Sequence, residues 1–145
     1  SNFFVENYKE KAEINRLVHW FEVIFKKEVI DPIIYEKVYS RIVENITPNS
    51  ENIRAALQNL DFHIQYFNYL LNNKNYFIKD ELTYLDFLAA ANFSVLDYLG
   101  LLNLKNHDNI REWYFKLKSR PSFRTLLKDQ IVGLNPHKNY KNMDI

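Results

Sequence analysis

Two glycines and four prolines are all that punctuate this chain of 145 residues. Strand-rich folds need many tight turns, and those turns draw on glycine for left-handed backbone and on proline for a fixed φ. A sequence so poor in both is suited to long helices joined by few loops. The periodicity agrees. Between Tyr8 and Lys27, Ile14, Leu17, Val18, Phe21, Ile24 and Phe25 fall on one helical face. Asp31-Pro32 has the form of an N-cap followed by a first-turn proline, which predicts a bend and a second segment through Ile34, Tyr35, Val38 and Ile42. After a loop of capping residues, Thr47-Pro48-Asn49-Ser50, the stripe Ile53, Leu57, Leu60, Ile64, Phe67 and Leu71 advances in steps of four and three. Residues 72–80, NNKNYFIKD, break that pattern and read as a connection. A short helix with Ile110, Trp113, Tyr114 and Leu117 comes later, then one opened by Arg120-Pro121 with Phe123, Leu126 and Leu127. The expectation is a single all-α domain over residues 1–145, a bundle of five to seven helices. A leader occupies 1–7, where Ser1-Asn2 has the form of a cloning scar, and an irregular tail over 133–145 lies extended on the surface.

Composition narrows the function classes. Hydrophobic residues make up 47% and aromatics 16%, enough for a sizeable core and incompatible with disorder. The net charge of +1 gives no electrostatic case for nucleic acid or a membrane surface. Without cysteine, the chain itself carries no disulfide, thiolate metal site or thiol nucleophile. Asp86, Asn92 and Asp97 interrupt the longest apolar stretch before it reaches the roughly 18–20 residues of a membrane span. No secretory leader pattern is visible, so the expected compartment is the cytoplasm.

Between the connection and the short helix lies ELTYLDFLAAANFSVLDYLG, residues 81–100. Thr83 and Asp86 have the spacing of a capping box, with Asp in place of the usual Glu, and Leu82 and Phe87 occupy the hydrophobic-staple positions. Gly100 suits a left-handed helix end. Leu88, Ala91, Val95, Leu99 and Leu102 form one face, while Ala89, Ala90, Phe93 and Leu96 cover much of the rest. A helix apolar nearly all round is a buried helix, and buried ends need internal partners for their orphan N–H groups. Asp86 therefore reads as a structural cap and not as a catalytic acid.

With IREWYFKLKSRPSF downstream, this stretch resembles the C-terminal helical domain of the glutathione S-transferase superfamily. Leu82, Thr83, Asp86 and Phe87 match the capping box and staple that open that domain's central helix. Trp113, Arg120, Pro121 and Phe123 match the following helix and the Arg-Pro turn. The resemblance runs from Tyr8 to Tyr140. It departs at Lys79, where the family often has glycine before the acidic residue.

Several expectations follow from the resemblance. The parent protein would carry an N-terminal thioredoxin-like domain, which nothing in this chain reads as, and that partner domain would bind glutathione and activate its thiol. This chain would supply the electrophile pocket and the dimerisation surface, and would be inactive alone. Glutathione enters as co-substrate of the parent only, and self-association through an exposed apolar patch on the first and central helices is expected. The alternative is a non-enzymatic protein–protein interaction module, for which Tyr8, Tyr35, Tyr39, Tyr66 and Tyr69 would supply contact surface.

No catalytic residue and no metal ligand set is assigned. The substrate-pocket candidates are Arg16, His19 and Trp20 on the first helix, the Tyr35/Tyr39 pair at i, i+4, and His137 and Tyr140 in the tail. Each has a plainer reading: a polar helix edge with a core tryptophan, a helix-stabilising pair, or a surface tail. His63 lies beside the core stripe with no partner at zinc-ligand spacing, and His107 near a helix start. Lys116, Lys118, Arg120, Arg124 and Lys128 make a basic cluster that reads as a solvated face.

Overall fold

The computed structural model describes residues 7–126, 135–138 and 140, and among these it contains five helical runs and no named strand. The first, α1, is continuous from 8 to 42; α2 is Ser50–Leu70, α3 is Tyr84–Tyr98, α4 is Asp108–Lys118 and α5 is Pro121–Leu126. The expected all-α bundle is what forms. Leu127, Lys128 and most of the 1–7 leader and the 133–145 tail lie outside the described residues.

Asn7 starts α1, its side chain accepting from the N–H groups of Lys9 and Glu10 at 2.9 and 3.3 Å. The new helix start predicted at Asp31-Pro32 is absent. Ile30 and Asp31 keep helical dihedrals, and Asp31 pairs with Lys26 at 2.9 Å instead of capping a new helix. The run passes the proline by widening to π-helical geometry over Trp20–Ile30 and again over Tyr35–Tyr39, with Asp31 N–H bonded to the Lys26 carbonyl. Pro32 has no N–H to give the Glu28 carbonyl four residues back, and Asn59 Nδ2 on α2 donates to that oxygen at 3.1 Å.

Helix α2 is capped by Asn49, which accepts from Glu51 and Asn52. Between α2 and α3 the connection turns at Lys79, whose φ of +53° lies in the left-handed region that suits glycine. Helix α3 ends in a Schellman arrangement. Gly100, at φ +73°, donates to the Asp97 carbonyl, and Leu101 donates to Leu96 at 2.9 Å.

The core is aromatic. Phe21 and Phe25 of α1, Phe67 of α2, Phe77 of the connection, Phe93 of α3 and Trp113 of α4 are all at most 2% exposed. The Phe67 ring stacks on Phe21 at 4.7 Å and meets Phe77 and Phe93 edge-on. On α3 the deepest residues are Leu85, Ala89, Ala90, Phe93 and Leu96, whereas Leu88, Val95 and Leu99 are half-buried and Ala91 is exposed. Helix α3 packs against both α1 and α4.

Candidate functional site

Four groups of functional side chains emerge, and the sequence candidates divide among them. The first lies between α1 and α2. Arg16 is exposed, forms two bonds to Glu13 at 3.0 and 2.7 Å, and lies 5.8 Å from the Tyr66 ring centre. The Glu13 carboxylate beside it raises the guanidinium pKa further and has its own lowered. Trp20 is half-buried, stacks on the same Tyr66 ring at 5.0 Å and donates its indole N–H to His63 Nδ1 at 2.9 Å. His63, 5% exposed, bonds Glu28 Oε1 through Nε2 at 2.8 Å. A ring that accepts at Nδ1 from an indole must carry its proton on Nε2 when neutral, and that proton then goes to Glu28. Arg16 and Trp20 thus meet on one tyrosine, and the tryptophan edge is used in joining two helices. His19 is exposed on the same helix.

The second group is the tyrosine pair. Tyr35 and Tyr39 stack at 5.8 Å and are 45% and 46% exposed, with the Tyr35 hydroxyl on Glu44 at 3.1 Å. Ile42, Val43 and Ile46 continue the exposed apolar surface at 43%, 63% and 52%. Exposure was expected on the first and central helices. Exposed large apolar side chains lie along α1 and its following loop, from Tyr8 and Val23 to Ile46, and on α2 at Phe62 and Tyr69, while α3 contributes none among the described residues. The reason is packing: α3 is wrapped by its neighbours, whereas the end of α1 projects past them.

The third group is centred on Asp86, which is fully buried. Its Oδ2 accepts from Thr83 N–H at 3.0 Å, completing the capping box. Its Oδ1 accepts from Phe77 N–H at 3.1 Å and from Trp113 Nε1 at 2.9 Å. One carboxylate therefore ties the connection, the start of α3 and α4 together. Burial pushes its pKa above the ordinary carboxylate value, against these donors, which pull it down. Leu82 is buried and Phe87 half-buried against the same core. This constellation holds structure and has no open side for a substrate.

The fourth group was missed by sequence reasoning. Lys118, placed there on a solvated face, is fully buried: its Nζ meets Asp97 Oδ2 at 2.9 Å, and the Tyr114 hydroxyl donates to the same oxygen at 2.8 Å. Burial and the Asp97 charge push the Tyr114 pKa well up. The signal was present, since a charge on a helix otherwise apolar all round requires a buried partner, and Tyr114 and Lys118 stand four apart on the next helix. Tyr140 covers this pair. It is 3% exposed, 5.1 Å from the Tyr98 ring, and not extended on the surface as predicted. His137 donates its backbone N–H to the Tyr98 carbonyl at 2.7 Å. The two tail candidates thus dock at the end of α3, while the contacts of Arg16 and Trp20 run to α2.

Among the described residues, surface openings of about 240 and 410 Å³ lie over Asn75 and Trp113 and over Ile53 and Leu57 respectively. None of the pocket candidates lines either one. Among the described residues there is no cluster of three His, Asp or Glu side chains fit for a metal ion, and no helix long and apolar enough to cross a membrane.

Comparison with known proteins adds the family. Residues 35–130 match the model of the glutathione S-transferase C-terminal domain. The chain is 36% identical over 135 residues to FtsZ-localized protein A of Caulobacter vibrioides, covering 93% of this chain and 59% of that protein. Among solved structures it is similar to FzlA from C. crescentus, with TM-score 0.95 and 33% identity over all of this chain and 64% of the other. A glutathione S-transferase from Rhodospirillum rubrum gives TM-score 0.92 and 35% identity, over 99% of this chain and again 64% of its own. The chain thus spans about three-fifths of the relatives it matches.

Proposed function

The chain belongs to the glutathione S-transferase C-terminal domain family, and from that membership we propose that it is a protein-docking module of an FtsZ-associated protein and not the substrate half of a conjugating enzyme. The observation that carries this reading is the disposition of the first-helix candidates. An electrophile pocket needs side chains that face an opening, but the Trp20 indole and His63 bond each other across α1 and α2, and Arg16 is engaged by Glu13. One uncovered apolar strip, at the end of α1 and its following loop, consists of Tyr35, Tyr39, Ile42, Val43 and Ile46, with aromatic and aliphatic groups of the kind protein interfaces favour. The likeness to FtsZ-localized protein A supports FtsZ as the partner. Homodimerisation through the parent protein and a cytoplasmic location belong to the same proposal.

A second reading is favoured by the likeness to the Rhodospirillum rubrum transferase: the chain as the electrophile-binding half, with glutathione held by a thioredoxin-like domain. Two assays separate the readings. Purified FtsZ is titrated against the labelled chain, and the protein that contains this domain is assayed for conjugation of glutathione to an aromatic halide. Docking predicts saturable FtsZ binding without conjugation; conjugation without FtsZ binding would select the enzyme. Conjugation by this chain alone would contradict both.

A further inference from the structure

The contact between Trp20 and His63 is built so that a single proton decides whether it exists. Neutral His63 uses both ring nitrogens: Nδ1 accepts the Trp20 indole N–H at 2.9 Å, and Nε2 bonds Glu28 Oε1 at 2.8 Å. Glu28 takes the Nε2 proton, so a second proton has one place to go, the Nδ1 lone pair that Trp20 occupies. An imidazolium has two donors and no acceptor, and an indole N–H only donates, so the bond does not survive that step. The two ends are unequal. His63 is 5% exposed and keeps its Glu28 partner, then as a charge-assisted pair. Glu28 is itself anchored, its carbonyl accepting from Asn59 Nδ2 at 3.1 Å. Trp20 is half-buried, and so is Tyr66, on which its indole stacks at 5.0 Å.

We propose that the Trp20–His63 bond is a proton-operated latch between α1 and α2, closed while His63 is neutral and opened by a proton on Nδ1, which turns the Trp20 indole out toward water. A donor left facing a donor inside the protein costs more than one that reaches solvent, so the half-buried partner is the one that moves. Few charges surround the ring. From α1, Glu28 faces it, Arg16 lies against Tyr66 and is paired with Glu13 at 2.7 Å, and exposed His19 precedes Trp20. On α2 the neighbours one turn away are Asn59 and Phe67, and Tyr66 is the nearby titratable side chain. From α3, Phe93 reaches this layer by packing on Phe25 and Phe67, and α4 meets α2 at Asn68. Among the described residues, Glu28 is thus the one charged group bonded to His63. Neither FtsZ docking nor conjugation enters into the latch.

Acrylamide quenching of tryptophan fluorescence in the full chain tests this, run beside nitrogen NMR of the His63 ring from about pH 8 to about pH 5, where histidines ordinarily change charge. Trp113, 1% exposed, is shielded from the quencher, so quenching reads Trp20. At the upper end His63 should show the Nε2–H tautomer. As Nδ1 takes its proton, the quenching constant should rise in step, with helical circular dichroism unchanged. His63→Asn, whose carbonyl stands in for Nδ1 as acceptor and does not titrate, should hold quenching flat across the range while exposed His19 still titrates. His63→Gln, equally untitratable, should also be flat, which covers a failure of His63→Asn to fold. Each of four results would overturn the latch: the Nδ1–H tautomer at the upper end; a ring that takes no second proton across the range, or takes it with quenching unchanged; the same rise in the wild type and in the His63 variants; or a rise that comes only with loss of the helical signal.

Discussion

At the scale of single residues, the Thr-x-x-Asp box carries more than a helix cap. Thr83 was legible as the N-cap, and the reciprocal bond from Asp86 was legible from the spacing. The Phe77 N–H and the Trp113 indole on the same carboxylate were not, because both come from outside the helix. The consequence is unequal sensitivity. Thr83→Ala removes one acceptor and should cost about 1 kcal/mol. Asp86→Ala strands three buried donors and should cost about 3 kcal/mol or more, both read from chemical unfolding midpoints. Lys79 gives a prediction of opposite sign. A lysine at φ +53° forgoes the freedom glycine has there, so Lys79→Gly should raise stability by about 1 kcal/mol. A loss of stability would mean that the turn is held by the lysine side chain.

At the scale of elements, the instructive difference is α1. Asp31-Pro32 carries the local signature of a helix start, and local rules alone break the chain there. The widened π geometry and the Asn59 bond to the Glu28 carbonyl depend on a helix 31 residues downstream, so no window of sequence contains them. The α1–α2 connection has the same non-local character. Buried Glu36 accepts from Asn49 N–H at 3.0 Å and from Asn52 Nδ2 at 3.0 Å, fastening the end of α1 to the cap of α2. The Asn49 bond, then the Asn52 bond, hold the Glu36 pKa below its ordinary 4.5. A depressed carboxylate contributes stability that is present above the unfolded value of 4.5 and lost as pH falls through the folded value. Glu36→Gln should therefore flatten the acid limb of a stability–pH profile below about pH 4.5. An unchanged acid limb would show that the two bonds do not discriminate between the protonation states.

At the scale of the whole molecule, helix count, core stripe and family were legible because they depend on periodicity and on one capped helix. The candidate site was legible only in part. Arg16, Trp20, Tyr35 and Tyr39 all lie on α1, but the use of the Trp20 edge in packing depends on His63 and Glu28, whose pairing no local window of sequence contains. The exposed strip at the end of α1 likewise appears only when the bundle is assembled, because its residues continue the same periodicity as the buried ones. Docking through that strip is the central claim, and titration of FtsZ against labelled wild-type chain and against the Tyr39→Ser, Val43→Ser double variant tests it most directly. The variant should keep its unfolding midpoint, since both side chains are exposed, and bind FtsZ about tenfold or more weakly. Equal affinity of the two proteins, or no binding by the wild type, would contradict it.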